Sequence, residues 1–172
     1  MQYANGRNAE NVVGDVVKGA IAGAVGVWAM DKVVWWMWDR EDPRALMQEH
    51  LARPEGLDPA HVMANRAAEA MGTELVPRQP HPAGIAVHYA LGVVPGAVYG
   101  ALRNRVGGVG AAGGLLYGLG LALVEDEGLN PLLGTSGAPG EYPGQAHGRG
   151  LVGHLVLGAV THATLDLLDR AA

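Results

Sequence analysis

Four stretches of this chain carry almost no charge, and each is close to the length that crosses a bilayer. Residues 83–102 are 20 positions without Asp, Glu, Lys or Arg, and residues 106–124 are 19 more. Residues 150–165 give 16, followed by Asp166, Leu167 and Leu168, and residues 19–38 are 20 positions broken only by Asp31 and Lys32. A transmembrane helix needs roughly 20 predominantly apolar residues, so the pattern predicts four spans. The chain as a whole is 17% charged, against about a quarter in a soluble domain.

Glycine separates lipid from water as the solvent. A soluble four-helix globule would lose about 1 kcal/mol for each helix-interior Gly relative to Ala, and this chain has 27 glycines. In a bilayer, small residues four apart let helix backbones approach closely. Gly84, Gly92, Gly96 and Gly100 have that spacing, as do Gly110, Gly114 and Gly118. The expectation is an all-α, four-transmembrane-helix bundle forming one membrane domain over 1–172. Its helices fall at about 12–38, 83–103, 106–128 and 149–169, with a polar insert at 39–82. The first helix does not read as a cleaved signal peptide, because a polar stretch with Glu10 and Asp15 precedes it and no small-residue cleavage site follows. Its end, Trp35-Trp36-Met37-Trp38, reads as an interfacial anchor.

In the insert, Asp42-Pro43 and Asp58-Pro59 read as N-caps with first-turn prolines, predicting two short surface helices. Leu46, Met47 and Leu51 give one a partial apolar face; Val62, Met63 and Met71 do the same for the other. His50 and His61 are expected to be solvated, and His81 and His147 to lie in loops near the head groups. Residues 130–148, rich in Pro and Gly, read as an ordered loop. The short basic loop Arg103-Asn104-Arg105 is expected to stay inside, with Arg7, Lys18 and Arg170 on the same side. Both termini are then cytoplasmic.

A shift of 66 residues overlays 77–102 on 143–168 with ten identities in 26 positions. These include Pro77/Pro143, Gln79/Gln145, His81/His147 and His88/His154. A weaker shift of 94 pairs Asp31 with Glu125. The chain then reads as two repeated helical hairpins related by an axis along the membrane normal.

Helical periodicity places Gly84, His88, Gly92, Gly96 and Gly100 on one face, and Gly150, His154, Gly158, His162 and Asp166 on another. Gly110, Gly114, Gly118, Ala122 and Glu125 share a third, with Asp126 about 100° around the helix. At 1.5 Å per residue, His88 lies about 22 Å from Arg103, His154 about 24 Å from Arg170 and Asp31 about 20 Å from Lys18. Asp31, His88, Glu125 and His154 are therefore expected at one level, with His162, Asp166 and Asp126 as a secondary polar ladder. Carboxylates with imidazoles can ligate zinc, manganese or iron; they can equally relay protons. Haem held by His88 and His154 is disfavoured by the close glycine packing. The bland alternative is that these groups only hydrogen-bond across helices, worth about 0.6 kcal/mol on average.

The segment EDEGLNPLLGTSGAPGEYPGQAHGRGLVGHLVLG resembles one family. It has an acidic helix end (Glu125, Asp126, Glu127), then Pro131, Leu133 and Gly134 with Leu132 inserted. A Pro-rich loop and a helix opening with His154 before Gly158 follow. This is similar to the YagU-type small bacterial inner-membrane proteins. The resemblance covers about 84–160 and implies a small multi-helix inner-membrane protein without implying a substrate; the 39–83 insert and His162 have no counterpart in it.

The expected function is an integral membrane protein whose His/carboxylate cluster binds a divalent metal ion or relays protons, in a small transporter or channel-like role. The alternative is a non-catalytic accessory or scaffold subunit. The expected partners are the lipid bilayer and either further copies of the chain or a larger membrane complex. With a net charge of -5, nucleic acid is not expected. The absence of cysteine excludes disulfides, zinc–thiolate sites and iron–sulfur clusters from this chain. No nucleophile elbow, phosphate loop or metalloprotease motif points to an enzyme.

Overall fold

The computed structural model describes residues 2–75 and 78–171, with side chains from residue 12 onward; Pro77 of the sequence repeat and the side chains of Arg7 and Glu10 lie outside that set. The described residues are helical and turn segments with no strand. Helix α1 is Gln2–Trp38, α2 Pro43–Ala52, α3 Pro59–Ala70 and α4 Pro82–Leu102. After these come α5 Leu115–Leu121, a π-helical segment Ala122–Leu129, α6 Asn130–Leu132 and α7 Gly144–Arg170.

The two short helices of the insert start where the sequence says. Asp42 accepts from the backbone N–H of Arg44 at 2.7 Å, with Pro43 in the first turn. Asp58 accepts from the N–H of His61 at 2.9 Å, with Pro59 in the first turn. Both caps satisfy N–H groups that the first helical turn leaves without an intrahelical partner.

Three helices are long and apolar enough to cross a membrane: Val12–Trp38, Pro82–Leu102 and Gly144–Arg170. The fourth uncharged run does not form the continuous α-helix expected over 106–128. Turns occupy 106–110, a 3-10 segment covers Ala111–Gly114, and α-helix begins only at Leu115. The cause is glycine density. Gly108, Gly113 and Gly114 take φ of 86°, 59° and 84°, and Ala112 among them takes 54°, a region that glycine enters freely, that other residues enter rarely, and that breaks the right-handed helix. Gly110 therefore lies outside the helix, and Glu125, Asp126 and Glu127 sit on the wider π turn. The expected 130–148 loop is shortened at both ends, by α6 and by α7, which begins at Gly144.

The chain divides into two compact units. The first comprises 1–33, 91–120 and 153–172, and glycine governs its packing. A Cβ on Gly23 would lie 2.5 Å from the carbonyl oxygen of Gly92, and one on Gly96 would lie 2.8 Å from Gly19 O. Gly114 and Gly118 meet the α7 backbone at Gly158 and His154. Ala22, Tyr99 and Leu165 form the buried core here, with Val109 and Tyr117 packed against it.

Apart from Val27, Leu157 and Leu165, most large aliphatic side chains point the other way. On α1, Val13, Val17, Ile21, Trp28 and Trp35 are exposed while Gly19, Ala22, Gly23, Gly26 and Val27 are buried. On α4, Val94 and Val98 are exposed and Gly92, Gly96 and Gly100 are buried. Between 22% and 33% of the apolar 18-residue stretch within each candidate span is buried. Small residues inside and large apolar residues outside is the reverse of a water-soluble bundle.

The second unit comprises 34–90 and 121–152. It holds α2 and α3, the π segment and the 133–143 connection. Arg66 donates to the carbonyls of Leu133 and Gly134 at 2.6 and 2.7 Å, tying α3 to the end of α6.

Candidate functional site

One run of polar residues in the first unit lies at the Arg103 end of its helices. Tyr99, 3% exposed, stacks on Tyr117 with ring centroids 4.3 Å apart. Its hydroxyl lies 2.6 Å from His162 Nδ1. The other nitrogen of His162 is 3.7 Å from Asp166 Oδ2, an ion-pair distance rather than a hydrogen bond. Arg103 donates to Asp166 at 2.7 Å and to Asp169 at 2.6 Å, and Lys18 reaches Asp169 at 2.9 Å. Arg105 pairs with Asp15 at 2.8 Å. Burial opposes the charge on Arg103, but the hydrogen bonds to Asp169 and Asp166 outweigh it and raise its pKa. The predicted His162–Asp166 ladder is thus part of a longer run that joins α4, α7 and α1. Sequence reasoning missed Tyr99, although it falls three positions after Gly96 on the same buried stripe.

His154 lies on the glycine-lined face of α7 and is 5% exposed. With Asp31 it belongs to the first unit, whereas His88 and Glu125 belong to the second. Asp31, His88 and Glu125 are half-buried. Among the described residues, no group of three or more His, Asp or Glu side chains is arranged to hold a metal ion.

In the second unit, Glu127 on the π segment lies 2.6 Å from His147 Nδ1. His147 Nε2 is 2.9 Å from the carbonyl of Pro139. Asp126 Oδ2 sits 3.1 Å from where a Cβ on Gly150 would be. His147 is therefore inside α7, not in a loop. Its repeat counterpart His81 directly precedes α4, so the two matched histidines occupy different local structure.

Two buried polar clusters in this unit were not legible as such. Arg149, 5% exposed, pairs with Glu41 and with both oxygens of Glu49 at 2.6 Å. Arg53 pairs with Glu49 at 2.5 Å, and the Trp38 ring lies under both guanidiniums, 4.6 Å from Arg149 and 5.4 Å from Arg53. Trp38 thus serves this network, while Trp35 and Trp36 remain exposed. The second cluster corrects the expectation that His61 is solvated; His81 lies in the loop just before α4, as expected, but is buried there. They are 4% and 8% exposed, with ring centroids 4.6 Å apart. The Asp58–His61 spacing of three residues at a helix start was the available signal.

Fold and polar groups together define a helical chain with three helices able to cross a membrane and ionisable side chains set on their packing faces. No family model matches the chain, and no curated protein or solved structure matches it either. The resemblance to the YagU-type proteins accordingly rests on the motif residues alone.

Proposed function

We propose that the chain is an integral protein of a bacterial inner membrane, with both termini cytoplasmic, that passes protons between histidine and carboxylate groups on its packing faces. In this reading 115–132 is a fourth crossing despite its π segment. Its exposed positions support that: Leu115, Leu116, Leu119, Leu123, Val124 and Leu129 are all apolar. Asp31 and His154 are the proton carriers of the first unit, with His162 and Asp166 toward its Arg103 end, and His88 and Glu125 are those of the second.

One observation carries the reading. His154 is 5% exposed on a helix long and apolar enough to cross a membrane. An ionisable side chain inside a span is costly, and such residues mark ion and proton pathways. A carboxylate oxygen and an imidazole nitrogen exchange a proton without further cofactors, and an imidazole titrates near neutral pH. Binding a divalent cation is the alternative use of such carboxylate and imidazole groups.

The test is reconstitution in liposomes containing a pH-sensitive dye. The wild-type chain should collapse an imposed pH gradient faster than protein-free liposomes, and His88→Ala with His154→Ala should abolish the excess. No excess flux, together with stoichiometric metal by elemental analysis and melting that shifts with chelator, would replace proton relay by metal binding. No flux and no metal, with a co-purifying membrane partner, would leave a scaffold subunit and end both readings.

A further inference from the structure

The buried pair His61 and His81 has no part in that path, and its hydrogen bonds fix where each proton sits. The Asp58 oxygens lie 2.8 and 2.9 Å from His61 Nδ1, so that nitrogen donates. His61 Nε2 faces the backbone N–H of His81 at 3.2 Å and must accept. His81 Nδ1 accepts from the N–H of Gly84 at 3.0 Å, the bond that an N-cap side chain makes to the third helical residue. The remaining proton of His81 is on Nε2, directed at Asn65 Oδ1 at 3.2 Å. Each imidazole is neutral, holds one proton and uses both nitrogens.

These bonds stitch the start of α3 to the first turn of α4. Gln79 adds to the stitch by accepting from the Asp58 N–H at 2.9 Å. Gly84 is required beneath it, because a Cβ there would enter the His61 ring.

We propose that the His61–His81 pair is an acid-released latch: near neutral pH it holds α3 against the first turn of α4, and proton uptake by His81 opens it.

A second proton on His81 can go only to Nδ1. That turns the acceptor of the Gly84 N–H into a donor and leaves the first turn of α4 uncapped. It also places a positive charge at a helix N-terminus, where the dipole is already positive, beside the ring of His61. A proton on His61 Nε2 would set donor against donor at the His81 N–H. Of the charged groups near the pair, Asp58 favours the cation and Arg78 opposes it. Burial, and then the neighbouring His61, hold His81 below its ordinary pKa despite Asp58. Its folded value is therefore lower than its unfolded one near 6.5. The contribution of the latch is full above that unfolded value and is lost as pH falls through the window below it toward the folded value.

Hydrogen exchange at the His81 and Gly84 amides tests this, using the full chain in lipid nanodiscs and correcting for the intrinsic pH dependence of exchange. Protection should fall by about tenfold or more between about pH 7.5 and about pH 5. His81→Asn retains an acceptor for the Gly84 N–H but cannot titrate, so its protection should hold across the range. Wild-type protection that does not change with pH, or the same acid loss in His81→Asn, overturns the latch. Nitrogen NMR of the rings gives a second readout if that variant does not fold. At neutral pH the wild-type chain should show the proton on Nε2 of His81 and on Nδ1 of His61; an imidazolium or the opposite tautomers would contradict the proposal.

Discussion

Arg149 shows what a single residue holds in the second unit. It is buried between Glu41 and Glu49 and lies over Trp38. Glu49 is 3% exposed, so removing the cation strands a carboxylate with little access to water. Arg149→Ala should cost about 3–5 kcal/mol, the usual penalty for breaking a buried pair from one side. Reversible unfolding in detergent measures it, and Arg149→Lys should recover part of the loss. An unchanged midpoint for Arg149→Ala would mean the network is not buried as described. None of this was legible from sequence, because partners 100 and 108 positions apart leave no periodic signal. The burial of His61 against His81 is hidden for the same reason, since the two meet across 20 positions.

At the scale of elements, local chemistry was legible and helix continuity was not. Asp42-Pro43 and Asp58-Pro59 marked the two insert helices because a cap needs only residues within one turn. The α1 and α4 spans followed from run length alone. The run at 106–124 failed as one α-helix because absence of charge says nothing about φ, and its glycines take left-handed values that end the helix. Glycine also supplies the sharpest contrast on one element. On α5, a Cβ at Gly118 would strike the His154 carbonyl and lie 3.1 Å from Leu155 Cα, whereas a Cβ at Gly120 would meet nothing within 4 Å. Gly118→Ala should destabilise the protein by about 1–3 kcal/mol, the typical cost of overpacking, and Gly120→Ala should be tolerated. Thermal melting of the two variants decides. Equal effects would show that the close approach of α5 and α7 backbones does not hold the first unit together.

For the whole molecule, the account turns on which side of each helix meets lipid. The apolar runs were legible in the sequence, and the glycine spacing correctly indicated the packing face of α4. It could not assign the π turn that carries Glu125–Glu127, since i to i+5 bonding has no composition of its own. The chain contains no cysteine, so a single introduced thiol reports one position. Spin labels at Val17, Ile21, Val94, Val98 and Leu123, all exposed apolar sites, can be placed one at a time in the chain reconstituted in bilayers. Their accessibility to oxygen should exceed that to a water-soluble nickel chelate at every one of these positions. Preferential collision with the chelate, or recovery of the unlabelled chain as a monomer in buffer without lipid or detergent, would contradict the account.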